Sequence, residues 1–281
     1  MKTDTLIAGS GYTGRRVLDR LPSALGLNRS GDHDRAVRMD IDAGDALPVD
    51  LADHWSLLYT VPPATDAETD HRLERFLSEL PSPPARVVYL STTGVYGDHG
   101  GAVVDEATPV NPQTGRAQRR VHAESLLTVW CGEHGAELVV LRVPGIYGPG
   151  RLGRERIRSR AAFIKESEVK PGNRIHVDDL VECCIRALDR SVPDGIYNVG
   201  DGDHRSATWF AMEVARQAGL ESPPTISREE ALKTLSAARL SFLTESRRID
   251  TTRMREILKP EMKYGDPEKG IAASLESYDS V

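Results

Sequence analysis

The chain has 281 residues, 39% hydrophobic and 28% charged, with a formal net charge of −6. That is enough apolar content for one large α/β domain or one and a half, and the negative balance speaks against nucleic acid or an anionic membrane as partner. No apolar run is long enough to cross a bilayer, Met1-Lys2-Thr3-Asp4 passes straight into a core strand, and Cys131, Cys183 and Cys184 lack CxxC spacing, so a cytoplasmic, reducing setting is expected.

In chain order, a strand over 5–8 runs into Gly9-Ser10-Gly11-Tyr12-Thr13-Gly14 and then the helical run Arg15–Leu21. In this GxGxxG, Gly9 permits the tight turn, Gly11 lets backbone approach a pyrophosphate, and Gly14 allows close helix packing; Tyr12 and Thr13 sit at the helix N-terminus that faces the phosphates. A second strand, 24–28, ends at Asn28-Arg29-Ser30, where an acid would bond the ribose 2′-hydroxyl of NAD. A basic and a hydroxyl residue instead suit a 2′-phosphate, so NADP(H) is expected and NAD(H) is the second choice, unless Arg29 simply faces solvent. A third strand, Val37-Arg38-Met39, leads to Asp40-Ile41-Asp42, either an adenine contact through Asp40 or a solvated turn.

A strand over 57–61 is closed by Pro62-Pro63, and Pro62 joins the candidate cofactor contacts. A helix over 66–80 is closed by Pro81, Pro83 and Pro84, and a strand over 86–91, a helix over 116–133 and a strand over 138–143 follow. Residues 150–170 are charged and weakly periodic, strand and helix return over 174–190, and short elements run from about 203 onward. The alternation predicts an α/β Rossmann fold, a doubly wound parallel sheet with a small C-terminal substrate lobe. The dinucleotide-binding domain is expected over 1–150, completed by 174–200, and the lobe over 151–173 and 201–281.

The N-terminal glycines, Ser91-Thr92-Thr93-Gly94-Val95-Tyr96-Gly97, Arg142-Val143-Pro144-Gly145-Ile146-Tyr147-Gly148-Pro149-Gly150 and Arg174-Ile175-His176-Val177-Asp178-Asp179 together resemble the extended short-chain dehydrogenase/reductase family of epimerases and dehydratases. Within it the chain is similar to the atypical, YeeZ-like group of NAD(P)-dependent epimerases. The resemblance implies that the hydroxyl four residues before the tyrosine of Val95-Tyr96-Gly97, which is Thr92, helps bind substrate. It also implies a YxxxK pair; registering on Pro112 and Glu124 puts Arg116 at the tyrosine and Arg120 at the lysine. Arginine keeps its proton at neutral pH, so the family's proton shuttle is missing. Arg120 is left to hold cofactor ribose or phosphate and Arg116 to clamp an anionic substrate, a plain solvated helix face being the alternative. The family's active-site asparagine falls at Asp70.

The remaining proton-transfer candidates are Tyr96, Tyr147 and His176; each has an alternative reading as a packing residue, with Asp178-Asp179 capping a helix. Tyr147, Arg151 and His176 form the candidate substrate set, and Arg151 opens a basic run with Arg154, Arg156, Arg158 and Arg160, itself readable as a solvated face. The eight histidines are dispersed, so no metal is expected. The resemblance further implies a homodimer through the helices 66–80 and 116–133, the latter carrying Val121, Leu126, Leu127, Val129 and Trp130. Three functions stay open: an NADP(H)-dependent oxidoreductase or epimerase-like enzyme on a small polar or anionic substrate, a catalytically silent NADP(H)-binding or sensing protein, and a redox-neutral isomerase or lyase.

Overall fold

The computed structural model describes residues 2–44, 47–65, 67–234 and 245–279. The chain opens with β1 (Thr3–Ala8), α1 (Tyr12–Arg20), β2 (Ala24–Asn28), β3 (Ala36–Arg38), β4 (Leu51–Tyr59), α2 (His71–Ser78) and β5 (Arg86–Thr92). It continues through β6 (Val103–Val104), α3 (Gly115–His134), β7 (Glu137–Val143), β8 (Gly145–Tyr147), α4 (Arg154–Arg158), β9 (Phe163–Ile164), β10 (Arg174–His176), α5 (Val177–Leu188), β11 (Gly195–Asn198) and α6 (Ala207–Gln217). Seven strands form one parallel sheet in the order β11-β7-β5-β4-β1-β2-β3. The strand order reverses between β1 and β4, which opens a crevice at their carboxyl ends, the place where doubly wound sheets bind ligands.

Strand side chains alternate between two apolar cores. Ile7, Leu58, Val88 and Leu141 face α1 and α5, while Leu6, Leu57, Val87, Tyr89 and Val140 face α2 and α3. Each strand is therefore apolar on both faces, the reason it reads as a continuous hydrophobic run. Helix ends obey local chemistry: Asp70, Thr114 and Ser206 side chains accept from backbone N–H groups at the starts of α2, α3 and α6, and Gly135 closes α3 in the left-handed region. The Asp70 cap explains why α2 begins at His71 and not at 66, a residue outside those described. β4 starts at Leu51, ahead of the expected 57, because its first four residues are half-buried or exposed and include Asp53 and His54, which hides this part of the strand from a search for apolar runs.

A third core, around Tyr147, Leu152, Ile157, Phe163, Val214 and Ile271, lies beside the sheet domain and joins α4, α6 and the C-terminal helix Pro267–Asp279. The segment between returns to the sheet domain: Arg248–Ile249 pairs with β6, and Met254 and Leu258 enter the core under α5. Among the described residues no helix is long and apolar enough to cross a membrane.

Candidate functional site

A cleft of about 450 Å³ runs along the carboxyl ends of β1, β2, β4, β5 and β7. At one end it is lined by Gly9, Gly11, Tyr12 and Thr13, with Asn28, Arg29, Asp40 and Pro62 beyond. Gly9 takes a φ of +91°, and a Cβ there would meet Thr60 Oγ1 at 2.7 Å. A Cβ at Gly14 would collide with the Gly9 carbonyl, so Gly14 shapes the turn from behind and does not line the cleft. Gly11 differs: it has open space around it, and no side chain caps the N-terminus of α1 that it precedes. An uncapped helix start facing a cleft, with room above its glycine, fits the pyrophosphate of a dinucleotide. Leu27, Met39, Ile41 and Val61 give this end apolar walls suited to adenine. Asp40 is tied to the Asp42 N–H at 3.0 Å, and Arg72 grips the Asp42 carboxylate in a fork at 2.6 and 2.5 Å while donating to the Pro62 carbonyl.

Arg29 is exposed at the cleft edge, but Ser30 is not part of the lining. Its hydroxyl donates to Asn28 Oδ1 at 3.3 Å, inside a turn where Asn28 Nδ2 also reaches Ser10 and Asp32. Ser30 is thus corrected from a cofactor contact to a turn residue, because its own strand-end amide captures it. Asp32, which the sequence reading passed over, lies 3.7 Å from Arg15, and the Ser30 hydroxyl holds its carboxyl below the ordinary range.

The other end is lined by Leu90, Ser91, Arg120, Val143, Ile146 and Arg151. Arg120 donates to the Tyr89 hydroxyl at 2.9 Å and to the Leu90 carbonyl at 2.7 Å, which pins its guanidinium at the strand end. Beneath it, Glu124 accepts from Ser91 Oγ and forms a fork with Arg142 at 3.2 and 2.7 Å; Arg142 in turn donates to the Tyr96 hydroxyl, which donates to Asn198 Oδ1 at 2.7 Å. Tyr96 is fully buried in this network, and burial raises its pKa. Its assignment as a catalytic group is therefore corrected: both sides of the hydroxyl are spent on structure. Thr92 lies outside the cleft lining, and its hydroxyl accepts from the Gly94 N–H where the chain turns out of β5. Asp70, the position matched to the family asparagine, is buried as the α2 cap, and burial raises its pKa. Ser91, Glu124 and Arg142 were missed as a unit because they lie on three separate elements.

Arg116 lies on the exposed side of the first turn of α3, close enough to Glu245 and Arg247 to feel their charges, and is outside the cleft lining. The substrate clamp it was expected to provide is corrected accordingly: Arg116 shares a face of α3 with Arg120 but sits one turn nearer the helix start, beyond the end of the cleft that Arg120 lines. His176 and Tyr147 are enclosed as well. His176 Nδ1 accepts from the Asp178 N–H, its Nε2 meets Ser274 Oγ at 3.1 Å, and burial lowers its pKa to about 4. It replaces the expected Asp178-Asp179 cap, and Asp179 instead accepts from the Lys263 and Tyr264 N–H groups. The Tyr147 ring packs edge-on to His176 and Phe210, and its hydroxyl fills the space a side chain at Gly270 would take. Burial raises its pKa. Of the expected substrate set, Arg151 alone lines the cleft, stacked 3.8 Å over the Tyr12 ring, whose hydroxyl donates to the Pro149 carbonyl.

Residues 64–200 match the NAD dependent epimerase/dehydratase family. Protein YeeZ of Escherichia coli K12 is 29% identical over 178 residues, 62% of this chain and 62% of that protein, so the match spans less than two thirds of that relative's length. The human dTDP-D-glucose 4,6-dehydratase is 26% identical over 137 residues, 46% of this chain and 39% of that protein. A solved structure of a functionally unknown conserved protein from Silicibacter pomeroyi DSS, 29% identical, superposes with a TM-score of 0.78 over 98% of this chain and 99% of that one. MoeE5 in complex with UDP-glucuronic acid and NAD, 20% identical, shares the fold at a TM-score of 0.79 over 99% of this chain and 100% of that one.

Proposed function

From the match of residues 64–200 to the NAD dependent epimerase/dehydratase family, we propose that the chain is a member of it, that it binds NADP(H) in the cleft, with NAD(H) as the weaker ligand, and that it acts as an oxidoreductase or epimerase-like enzyme on a small anionic substrate. The observation that carries the reading is the open space over Gly11 at an uncapped helix start, in the crevice where the strand order reverses. The N-terminus of α1 would hold the pyrophosphate, Leu27, Met39, Ile41 and Val61 the adenine, Arg29 the 2′-phosphate, and Arg120 the ribose next to the nicotinamide. Bound there, the nicotinamide supplies or accepts a hydride. Arg151 stands at the same end as a fixed cation for a substrate carboxylate or phosphate.

One observation favours a second reading, a catalytically silent NADP(H)-binding or sensing protein. The described cleft lining contains no lysine or histidine, and its one tyrosine, Tyr12, has its hydroxyl committed to Pro149. Calorimetry with NADPH and NADH tests binding, and steady-state assays test turnover. Tight NADPH binding without turnover of neutral alcohols is expected; no binding of either dinucleotide would overturn the reading. The three cysteines, all buried and unpaired, suit a reducing cytoplasm. A second copy packing on α2 and α3, where Val129 is 60% exposed, completes the proposal, and light scattering at micromolar concentration is expected to give a dimeric mass.

A further inference from the structure

Beside the cleft lies a second cavity of about 310 Å³ that shares Ile146 and Arg151 with it. Its body is apolar, walled by Leu152, Ile157, Phe163 and Phe210. Asn173 and Arg174, which also border it, are already spent on the protein. Asn173 donates to the Arg247 carbonyl at 2.9 Å, and its Oδ1 takes the Ile249 N–H at 3.0 Å and the His204 ring at 3.1 Å. Arg174, only 7% exposed, donates to Asp203 at 2.8 Å and to the carbonyls of Arg205 and Ser206. The Tyr147 hydroxyl is turned against Gly270. Arg156 covers the Phe163 ring at 4.0 Å on the rim. Arg151 stands at the junction of the two cavities, exposed, and has no ion pair among the described residues.

We infer that this cavity takes an apolar-bodied carboxylic acid, a single ring or a short acyl chain, with its carboxylate on Arg151 at the mouth nearest the dinucleotide cleft. The inference deepens the anionic-substrate reading above and rests on it. Two quantities decide between this ligand and a sugar nucleotide. The volume is at the lower end of small-molecule pockets, about 300–1,000 Å³, which suits one ring and not a base, a ribose, a diphosphate and a sugar together. The hydroxyl and amide groups of a sugar nucleotide would also lose water and gain few partners, because Asn173 and Arg174 are occupied and the Tyr147 hydroxyl, though unpartnered, is buried against Gly270, and each unpaired buried group opposes binding. An apolar body loses nothing by leaving water, and a single carboxylate matches the planar fork of one guanidinium.

The test is calorimetric titration of the full chain with phenylacetate, with its neutral counterpart phenylacetamide and with UDP-glucose, alongside a separate NADPH titration. Phenylacetate is expected to bind about tenfold or more tighter than either comparison compound. Arg151→Gln is expected to remove that tenfold advantage and leave phenylacetamide unchanged. Ala207→Phe, at an exposed position in the first turn of α6 that lines the cavity, is expected to weaken phenylacetate about tenfold while the fold and NADPH affinity persist. Equal binding of acid and amide, tighter binding of UDP-glucose, or indifference to both substitutions would overturn the inference. If NADPH binds and phenylacetate does not, the inference falls and the dinucleotide reading stands; if phenylacetate behaves as expected and NADPH does not bind, the reverse holds.

Discussion

At the β1–α1 end of the cleft, an uncapped helix start and the open space over Gly11 leave backbone donors facing outward, whereas at the β5–α3 end the polar side chains are bonded to one another. Glu124, Arg142, Tyr96 and Asn198 form a buried chain, and Arg120 is fixed to Tyr89 and Leu90. The difference teaches that binding and reacting are separable in this fold. A helix N-terminus binds a phosphate through backbone, which needs only glycine at a few positions; proton transfer needs a side chain of suitable pKa left unbonded. Here the first requirement is met and the second has been replaced by fixed positive charge at Arg120 and Arg151.

The comparison breaks most visibly by attacking the buried network. Glu124→Ala leaves the Arg142 guanidinium, 5% exposed, without its carboxylate partner. Removing one member of a buried ion pair costs about 3–5 kcal/mol, and urea denaturation should register a loss of that size. A loss below about 1 kcal/mol would mean that Arg142 is satisfied by Tyr96 and solvent, and that this end is looser than the contrast requires.

Gly11→Val probes the opposite end. Nothing lies within 4 Å of a Cβ there, so the fold should survive, as circular dichroism would check. The new side chain would occupy the space over the helix start. Dinucleotide affinity is expected to fall about a hundredfold, about 2.7 kcal/mol. Retained affinity would show that the cofactor does not approach α1.

These two positions also mark what the sequence makes legible. Gly9, Gly11 and Gly14 are readable because backbone constraints are written directly in residue identity, and the buried parallel strands are readable because both faces are apolar. The fate of Tyr96 was not readable: its partners, Arg142 and Asn198, are brought to it by β7 and β11 from far along the chain. The surroundings of His176 and Tyr147 were not readable for the same reason, since the C-terminal helix closes over them through Gly270 and Ser274. Arg116 and Arg120 lie one helical turn apart and share a face of α3, yet only the second lines the cleft, a distinction that depends on how far along α3 the cleft extends.

The lobe junction sharpens the contrast through pH. Asp201 follows β11 with Oδ2 buried and without a partner, and burial pushes its carboxyl up to about 7 against an ordinary 3.8. Between those values the folded protein keeps a proton that the unfolded chain has released. Its stabilising contribution is therefore complete below pH 4 and is lost as pH rises through 7. Asp201→Asn should match the wild type near pH 4 and exceed it by up to about 4 kcal/mol at pH 8 in denaturation experiments. His176 works in the other direction: its contribution is present above pH 6.5 and is lost as pH falls towards 4, but it is common to both proteins and cancels in their difference. A pH-independent difference would place the orphaned carboxylate in contact with solvent.

The smallest expected effect concerns which dinucleotide the binding end prefers. Arg29, exposed on the lining, favours a 2′-phosphate, while Asp32, in the same turn and 3.7 Å from Arg15, opposes one. The Asp32 carboxylate already draws on the Asn28 amide, 3.1 Å away, a donor that a phosphate would otherwise use. A phosphate entering beside Arg29 therefore gains one cation and meets one anion, so the NADPH preference should be modest. Arg29→Ala should weaken NADPH about tenfold and leave NADH nearly unchanged, because only the former carries the second anion. Asp32→Asn should shift the ratio the other way, strengthening NADPH about five- to tenfold at low salt and less at high salt, as screening of exposed charges requires. Calorimetry with both cofactors at two ionic strengths reads both effects. Should Arg29→Ala affect the two cofactors equally, the strand-end arginine would be holding the shared adenosine and the 2′-phosphate would have no dedicated partner.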